Sequence, residues 1–277
     1  MNDHDPAELL RRADPAAALA ALTEQVRAHP SDFKLRVFLA QLLCVLGQWE
    51  RALNQLGVAA ELDALAVPMK QVYGDAVRGE GLRAAVFAGK DTPMVFGQSD
   101  QWLALLIESL LQRGKGEGEA AERLRARAFE EAPATAGRID GTPFAWLADA
   151  DMRLGPVLEA YVNGRYYWIP FARMARVRIE PPKDLRDGIW MPAHLDFENG
   201  GKSLALIPTR YEGSEYSADG AVQLSRKTEW RELAPEVWAG NGQRVFSSDA
   251  GEHPLMDVRE IVFDTPQPIS PPGHANG

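Results

Sequence analysis

Apolar residues near the amino terminus recur with a spacing of 34 residues, the distance from Leu9 to Leu43. Small and aliphatic positions of a first copy reappear in a second: Leu9, Ala18, Leu19, Leu22 and Val26 recur as Leu43, Ala52, Leu53, Leu56 and Ala60. This spacing is the period of the tetratricopeptide repeat, a pair of helices joined by a turn. The alternative is an ordinary helical hairpin, because alanine-rich helices often look periodic.

The second copy contains each part that such a repeat needs. Asp32 predicts a helix start, and the apolar run that follows ends at Gly47. A second helix is predicted from Ala52 to Leu62. Repeats of this kind bury their apolar faces against each other and present a surface to other proteins. The pattern therefore favours an interaction protein over an enzyme for this half.

Helical periodicity continues from Pro68 to Glu131, but the repeat weakens. Tyr73-Gly74 stands where the turn of a third unit would fall. Residues 89–99 contain turn formers together with apolar side chains, which predicts a packed loop.

The chain changes character at 132–142, where Pro, Ala, Gly and Thr cluster. Short strands are predicted beyond it, beginning with a hairpin around Asn163-Gly164. Further strand candidates share short apolar runs between Gly and Pro: 175–179, 188–192, 194–197, 203–208, 223–224, 238–239, 243–246 and 257–263.

These elements predict an α+β protein with three parts. A tetratricopeptide-like helical domain covers 1–134, and a β-rich domain, either a small mixed sheet or a half-open barrel, covers 135–264. Residues 265–277 contain four prolines and few apolar partners, so we predict a disordered tail.

Composition excludes several classes of function. The formal net charge of -9 disfavours a nucleic-acid binder, because binding to phosphates needs clustered cations. Cys44 is the single cysteine, and the five histidines lack metal-ligand spacing, so we expect no metal and no cofactor. The absence of a signal peptide or a long apolar run predicts a cytoplasmic protein without membrane insertion.

Asp149 and Asp151 form a D-x-D pair after an apolar run. Such a pair serves metal-dependent phosphatases, in which one carboxylate attacks phosphorus and the other acts as acid and base. Met152 and Arg153 follow here in place of the Thr or Val of that class, and a phosphate-binding loop is missing. A structural role, with an aspartate capping a turn or pairing with Arg153, explains more residues. The phosphatase remains the alternative function, and we predict no catalytic residue.

Several blocks in order resemble the ImpE family, also called SciE or TagJ, whose members are accessory proteins of bacterial type VI secretion. The blocks are DADMRLGPVLEAYVNGRYYWIPF (Asp149 to Phe171), EPPKDLRDGIWMPA (Glu180 to Ala193), IPTRYEGSE (Ile207 to Glu215) and LAALTEQVRAHPSDFKLRVFLAQLLCVLGQWERALNQL (Leu19 to Leu56). The resemblance extends to about Phe263 and leaves out the proline-rich tail.

The resemblance implies a non-enzymatic adaptor that binds the small subunit of the contractile sheath, the AAA+ ATPase that recycles the sheath, or both. We expect a helix of the sheath subunit to lie in a groove of the repeat half, against Lys34, Val37 and Gln41.

The family blocks also indicate a shared structural or docking element in the second half. Its residues are Asp149, Asp151, Arg153, Glu159, Tyr166 and Trp168. Of the two roles we favour the structural one, because buried charged pairs can organise a fold.

Overall fold

The computed structural model describes residues 5–97 and 100–264. Helices make up most of its first half: α1 (Pro6–Arg11), α2 (Pro15–Ala28), α3 (Phe33–Val45), α4 (Trp49–Leu62), α5 (Val67–Phe87), α6 (Gln101–Gly114) and α7 (Gly118–Glu131). Helices that follow one another closely in the chain, such as α3 and α4 or α6 and α7, pack as pairs. The mixed helix-and-sheet class predicted from the sequence is confirmed, and the repeat character of the helices stays a prediction.

The bounds of α3 follow from its capping residues. The carboxylate of Asp32 accepts hydrogen bonds from the backbone N–H groups of Lys34 and Leu35, as a helix N-cap does. Gly47, just after the helix, has φ +65, a left-handed conformation that glycine adopts without steric cost.

The turn predicted for a third repeat at Tyr73-Gly74 is wrong, because α5 runs through it without a break. Gly79 in the same helix shows why glycine was a misleading signal. A Cβ atom at Gly79 would lie 2.3 Å from Cε1 of Tyr161, so the glycine allows α5 to pack closely against the Tyr161 ring. These glycines are compatible with a continuous helix.

The segment predicted as a packed loop contains a short strand, β1 (Met94–Val95). It pairs in parallel with Tyr167 and Trp168 of the second half of the chain. Local sequence does not reveal this pairing, because a two-residue strand exists only when its partner lies beside it.

The second half is rich in strands: β2 (Gly137–Ile139), β3 (Thr142–Phe144), β4 (Leu147–Asp149), β5 (Val157–Val162), β6 (Arg165–Pro170), β7 (Met174–Ile179), β8 (Trp190–Phe197), β9 (Lys202–Pro208), β10 (Thr228–Ala234), β11 (Val237–Gly242), β12 (Val245–Ser248), β13 (Gly251–Pro254) and β14 (Glu260–Phe263). Nine strands form one sheet in the order β1-β6-β5-β9-β8-β7-β14-β2-β3. A three-stranded sheet, β13-β12-β4, and the hairpin β10-β11 complete the half.

The large sheet is mixed, as predicted, since β1 is parallel to β6 and its other pairings are antiparallel. It is wider than the small sheet expected, and its end strands β1 and β3 are not paired with each other within 5–97 and 100–264. The extra width comes from three-residue strands such as β2 and β3, which are too short to give a periodic signal.

The hairpin of β5 and β6 has Asn163 at φ 49 and Gly164 at φ 74, the positive values that a type I′ turn requires. Two strand candidates, 188–192 and 194–197, are one strand, β8, which continues through Pro192. The candidate 223–224 is wrong: the short helix α8 (Gly220–Gln223) lies there, begun by the Asp219 side chain.

Residues 5–97 and 100–264 contain two hydrophobic cores. In one, the buried residues come from the sheet half and include Phe171 and Phe246, and Phe96 of the first half packs against them. The other is shared: Leu43 and Leu106 of the helices pack in the same cluster as Trp168 of the sheet. α7 ends at Glu131 and β2 begins at Gly137, and the division into independent domains stays a prediction.

The tail predicted for 265–277 lies outside the described residues. In the part of the chain that is described, no helix has both the length and the apolar character needed to cross a membrane.

Candidate functional site: a buried ion network between helices and sheet

The loop after β4 is built by two aspartates that bind their own backbone. Oδ1 of Asp149 accepts the N–H of Asp151 at 2.9 Å, and Oδ1 of Asp151 accepts the N–H of Arg153 at 2.9 Å. Each bond joins residues two positions apart, the spacing of an Asx turn. The D-x-D-x-R pattern therefore folds this loop locally.

The Asp151 side chain also holds two other parts of the molecule. Nη2 of Arg153 donates to its Oδ2 at 2.6 Å, and the backbone N–H of Gly240 on β11 donates to the same atom at 3.0 Å. The guanidinium carbon of Arg153 lies 4.5 Å from the ring centre of Phe87 on α5. Asp151 thus ties the hairpin β10-β11 and, through Arg153, the end of α5 to one loop.

Glu159 on β5 lies at the centre of the network and is fully buried. Arg83 of α5 donates from Nε to its Oε1 at 2.8 Å and from Nη2 to its Oε2 at 3.2 Å. The hydroxyl of Tyr166 donates to Oε1, and Nε1 of Trp168 donates to that hydroxyl at 2.7 Å. The three family-block residues of β5 and β6 therefore form one chain of hydrogen bonds.

Arg244, in the link between β11 and β12, bridges two of the carboxylates. Its Nη1 donates to Asp149 and its Nη2 donates to Glu159, and all three side chains are buried. Its Nε donates to the carbonyl of Pro208 at 2.8 Å, so all three guanidinium nitrogens have a hydrogen-bond acceptor. Tyr211 adds a hydrogen bond from its hydroxyl to Oδ1 of Asp149 at 3.0 Å.

Glu80 extends the network to strand β8. Its Oε1 accepts from Nε1 of Trp190 at 2.7 Å, and its Oε2 lies 3.3 Å from Nη1 of Arg83. Glu80 and Arg83 are one turn apart on α5, so they face the sheet together. The helix is held to the sheet by buried polar contacts as well as by apolar packing.

The environment separates the pKa values of the two carboxyls that share Arg244. Burial raises the pKa of Asp149 to about 7, although Arg244 favours its ionised form. Burial also acts to raise the pKa of Glu159, but Arg83 and Arg244 outweigh it and lower that pKa to about 2. A carboxylate held between two guanidinium groups stays ionised, which fits Glu159 as the anchor of the network.

Two further arginines of the second half bind the ends of helices in the first half. Arg210 donates from Nη2 to the carbonyl of Cys44 at 2.9 Å and from Nη1 to that of Val45 at 2.7 Å. Arg226 donates from Nη1 to the carbonyl of Leu10 at 2.6 Å. The last carbonyls of a helix have no hydrogen-bond donors within the helix. The guanidinium groups of these two arginines provide those donors.

The structure brings together all six residues of the family blocks singled out from the sequence: Asp149, Asp151, Arg153, Glu159, Tyr166 and Trp168. Each is at most 7% exposed, so all six are largely shielded from solvent. The arrangement is suited to holding elements together.

Sequence reasoning missed the cations and the further carboxylate of the network, Arg83, Arg244, Arg210 and Glu80. Arg210 stands inside the block IPTRYEGSE, which was noticed only for its resemblance. Arg83 precedes the apolar run Ala84 to Phe87, but the sequence of α5 does not show which of its sides is buried. Arg244 offered no local sign, because its partners are 85 and 95 residues away.

The three residues predicted to contact a sheath helix lie apart from this network, on α3. Lys34 is exposed, whereas Val37 and Gln41 are partly buried. Gln41 borders a void of about 10 Å³ together with Tyr73 and Trp190. Trp190 of the second half of the chain therefore lies beside Gln41.

Comparison with known proteins supports the family resemblance. Residues 141–262 match the family model described as ImpE protein. The chain is 52% identical over 257 residues to a Pseudomonas aeruginosa protein described as type VI secretion system accessory component TagJ, which covers 93% of this chain and 90% of that protein.

An X-ray structure of a Vibrio parahaemolyticus protein shares the fold, with a TM-score of 0.86 and 24% identity. The superposition covers 94% of this chain and 98% of that one. Because the relationship to the Pseudomonas protein extends over nearly the full length of both chains, this chain belongs to the ImpE family.

Proposed function

We propose that this protein is a non-enzymatic accessory component of a type VI secretion system that acts by binding other proteins of the machine. The observation that carries the proposal is the 52% identity, over 93% of the chain, to the accessory component TagJ. The cytoplasmic location implied by the family is part of the same proposal.

The geometry of the D-x-D pair supports a role without catalysis. The Asp149 side chain accepts from Arg244, Tyr211 and the backbone of Asp151, and Asp151 is bound by Arg153 and Gly240. A nucleophilic or metal-binding carboxylate needs an oxygen that substrate or metal can reach. Within residues 5–97 and 100–264, groups of three or more His, Cys, Asp or Glu side chains arranged for a metal ion are absent.

For the partner we propose the small sheath subunit, the sheath-recycling AAA+ ATPase, or both, bound through the helical half. Lys34 on the open side of α3 offers a cation, and Val37 offers an apolar contact beside it. Gln41 borders the same face where it meets the sheet half. An amphipathic helix with apolar and acidic positions would suit this surface.

For the family-block residues we propose the structural role. Asp149, Asp151 and Glu159 are buried, and their partners come from α5, β11 and the link before β12. The network thereby fixes the helical half, with its proposed binding surface, relative to the sheet half. Variants of these residues are expected to lose stability before they lose any specific contact with a partner.

The test measures binding of the purified full-length protein to the purified sheath subunit, and separately to the ATPase, by titration calorimetry. Lys34→Glu and Val37→Glu should each weaken binding about tenfold or more, since reversing a charge or placing one at a contact is repulsive. Lys115→Glu makes the same charge change in the exposed loop between α6 and α7 and should leave the affinity unchanged.

Unaltered affinity in the two α3 variants would show that the partner binds elsewhere. Failure to bind either component, together with metal-dependent phosphatase turnover that disappears in Asp149→Asn, would favour the enzyme alternative. Circular dichroism of each variant separates loss of binding from loss of folding.

A further inference from the structure

Three of the seven tryptophans line one open groove where the end of α7 meets the sheet half. Trp146, Trp230 and Trp238 are 41%, 37% and 41% exposed. The groove has a volume of about 760 Å³, and Pro133 and Met152 are among its other lining residues. Exposed aromatic side chains gathered in a concave surface are characteristic of a binding site.

The groove is held in shape by the loop that follows β4. The backbone N–H of Met152 donates to the carbonyl of Trp238 at 3.0 Å, and the N–H of Trp238 lies 3.4 Å from the Met152 sulfur. Trp230 packs against Tyr211, with ring centres 5.8 Å apart. The tryptophans of the hairpin β10-β11 are therefore positioned before any ligand arrives.

The carboxyl-terminal end of the described chain leads toward this groove. β14 runs antiparallel to β2, and the pairing continues past the strand, where the N–H of Asp264 donates to the carbonyl of Ala136 at 2.9 Å. Ala132, Pro133 and Ala134 form one wall of the groove.

The segment that follows Asp264 has the chemistry that such a groove accepts. Residues 265–277 read TPQPISPPGHANG, with four prolines and one isoleucine, and His274 is their only ionisable side chain. Proline-rich segments bind aromatic-lined grooves through ring contacts and lose little conformational entropy when they do. Thirteen residues in such a conformation span about 40 Å at ~3.1 Å per residue, which is ample for a groove of this size.

We propose that the proline-rich tail of this chain, within residues 265–277, binds in the groove of Trp146, Trp230 and Trp238 and covers it. The tail is tethered at the rim of the groove, so its effective concentration there is of the order of millimolar, and weak contacts suffice to keep it bound. The inference is independent of the proposed secretion role, because it concerns only contacts within one chain.

The test measures acrylamide quenching of tryptophan fluorescence in the full-length protein and in a variant with Pro266, Pro268, Pro271 and Pro272 all changed to Ser. The variant should show a quenching constant raised about twofold, because three half-exposed indoles lose their cover while Trp102, Trp168 and Trp190 stay buried. A synthetic peptide of residues 265–277, added to the variant, should restore the lower value.

The control changes Pro181 and Pro182, an exposed pair that does not line the groove, to Ser and should leave quenching unchanged. Equal quenching in the wild type and the tail variant would overturn the proposal. Protection that fades on dilution over about a hundredfold would also overturn it, since a tail acting within its own chain is independent of concentration.

Discussion

Nε of Arg83 on helix α5 donates to Oε1 of Glu159 on strand β5 at 2.8 Å, and both side chains are buried. This ion pair joins the two halves of the chain across 76 residues of sequence. Arg244 and Tyr166 bind the same carboxylate, so Glu159 has partners from three separate parts of the structure.

Replacing Arg83 by Met should lower the free energy of unfolding by about 3–5 kcal/mol, because Glu80 and Glu159 would lose a shared cation while remaining buried. Urea denaturation measures the effect. Glu131→Gln removes one partner of the Arg127 pair at the surface and should change stability by less than about 0.5 kcal/mol. An Arg83→Met protein as stable as this control would contradict the structural role of the network.

The pKa of Asp149 predicts how stability varies near neutral pH. Burial raises this pKa from 3.8 to about 7, so the folded state holds a proton that the unfolded chain has released. The stabilisation is complete below the unfolded pKa and is lost as pH rises through the folded pKa. The free energy of unfolding should therefore fall between about pH 4 and about pH 7, as measured by urea denaturation across that range.

Asp149→Asn is the matched variant for this titration. Its amide does not ionise, so the decline with pH should flatten, while stability at low pH also drops because the amide N–H groups face Arg244. A wild-type slope that persists in Asp149→Asn would assign the titration to another group. Glu159 acts in the opposite sense: its pKa is lowered to about 2, so its stabilisation is lost as pH falls through that value.

The hydrogen bonds of Arg210 to the end of α3 should control how fast Cys44 reacts with a thiol reagent. Burial raises the pKa of Cys44 to about 12, so the thiol should react with a disulfide reagent only when the structure opens. Arg210→Ala removes the donors to the carbonyls of Cys44 and Val45 and should increase the labelling rate at least about tenfold through loosening of the end of α3.

Arg226→Ala is the control for this experiment, since Arg226 binds the carbonyls that end α1 and makes no contact with α3 among the hydrogen bonds of residues 5–97 and 100–264. It should leave labelling of Cys44 close to the wild-type rate under native conditions. Equal acceleration in both variants would mean that the label reports global unfolding and not the capping of α3.

Replacement by alanine should have opposite effects on stability at two glycines of α5. Gly79→Ala would place a Cβ atom 2.3 Å from Tyr161, and the resulting overpacking should lower stability by about 1–3 kcal/mol. Gly81 has no atom within 4 Å of such a Cβ, so Gly81→Ala should raise stability by about 0.5–1 kcal/mol through helix propensity. Thermal denaturation of the two variants distinguishes them, and a stabilised Gly79→Ala would contradict the close contact of α5 with β5.

Much of the helical half was predictable because its signals are local. Asp32 and Gly47 mark the bounds of α3, and Asn163-Gly164 marks the turn between β5 and β6. The turn predicted at Tyr73-Gly74 was wrong, because a glycine inside a helix gives the same local signal as a helix end unless the neighbouring element is known. β1 and the short strands β2 and β3 were missed, since their pairing partners supply most of the information that defines them.

The aspartates of the candidate site were recognised from their spacing, and the pairing of Asp151 with Arg153 lies within that local pattern. The sequence by itself thus determined the mixed class, the principal helices, the β5–β6 turn and the family. Only the tertiary structure decided that Arg83 and Arg210 bind across the two halves and that Arg244 joins two carboxylates of distant strands. The same is true of Trp146, which lines one groove with the tryptophans of a distant hairpin. The physical reason is distance along the chain: a cap or a turn is satisfied by neighbours, whereas a buried charge is stabilised only by partners that folding brings to it.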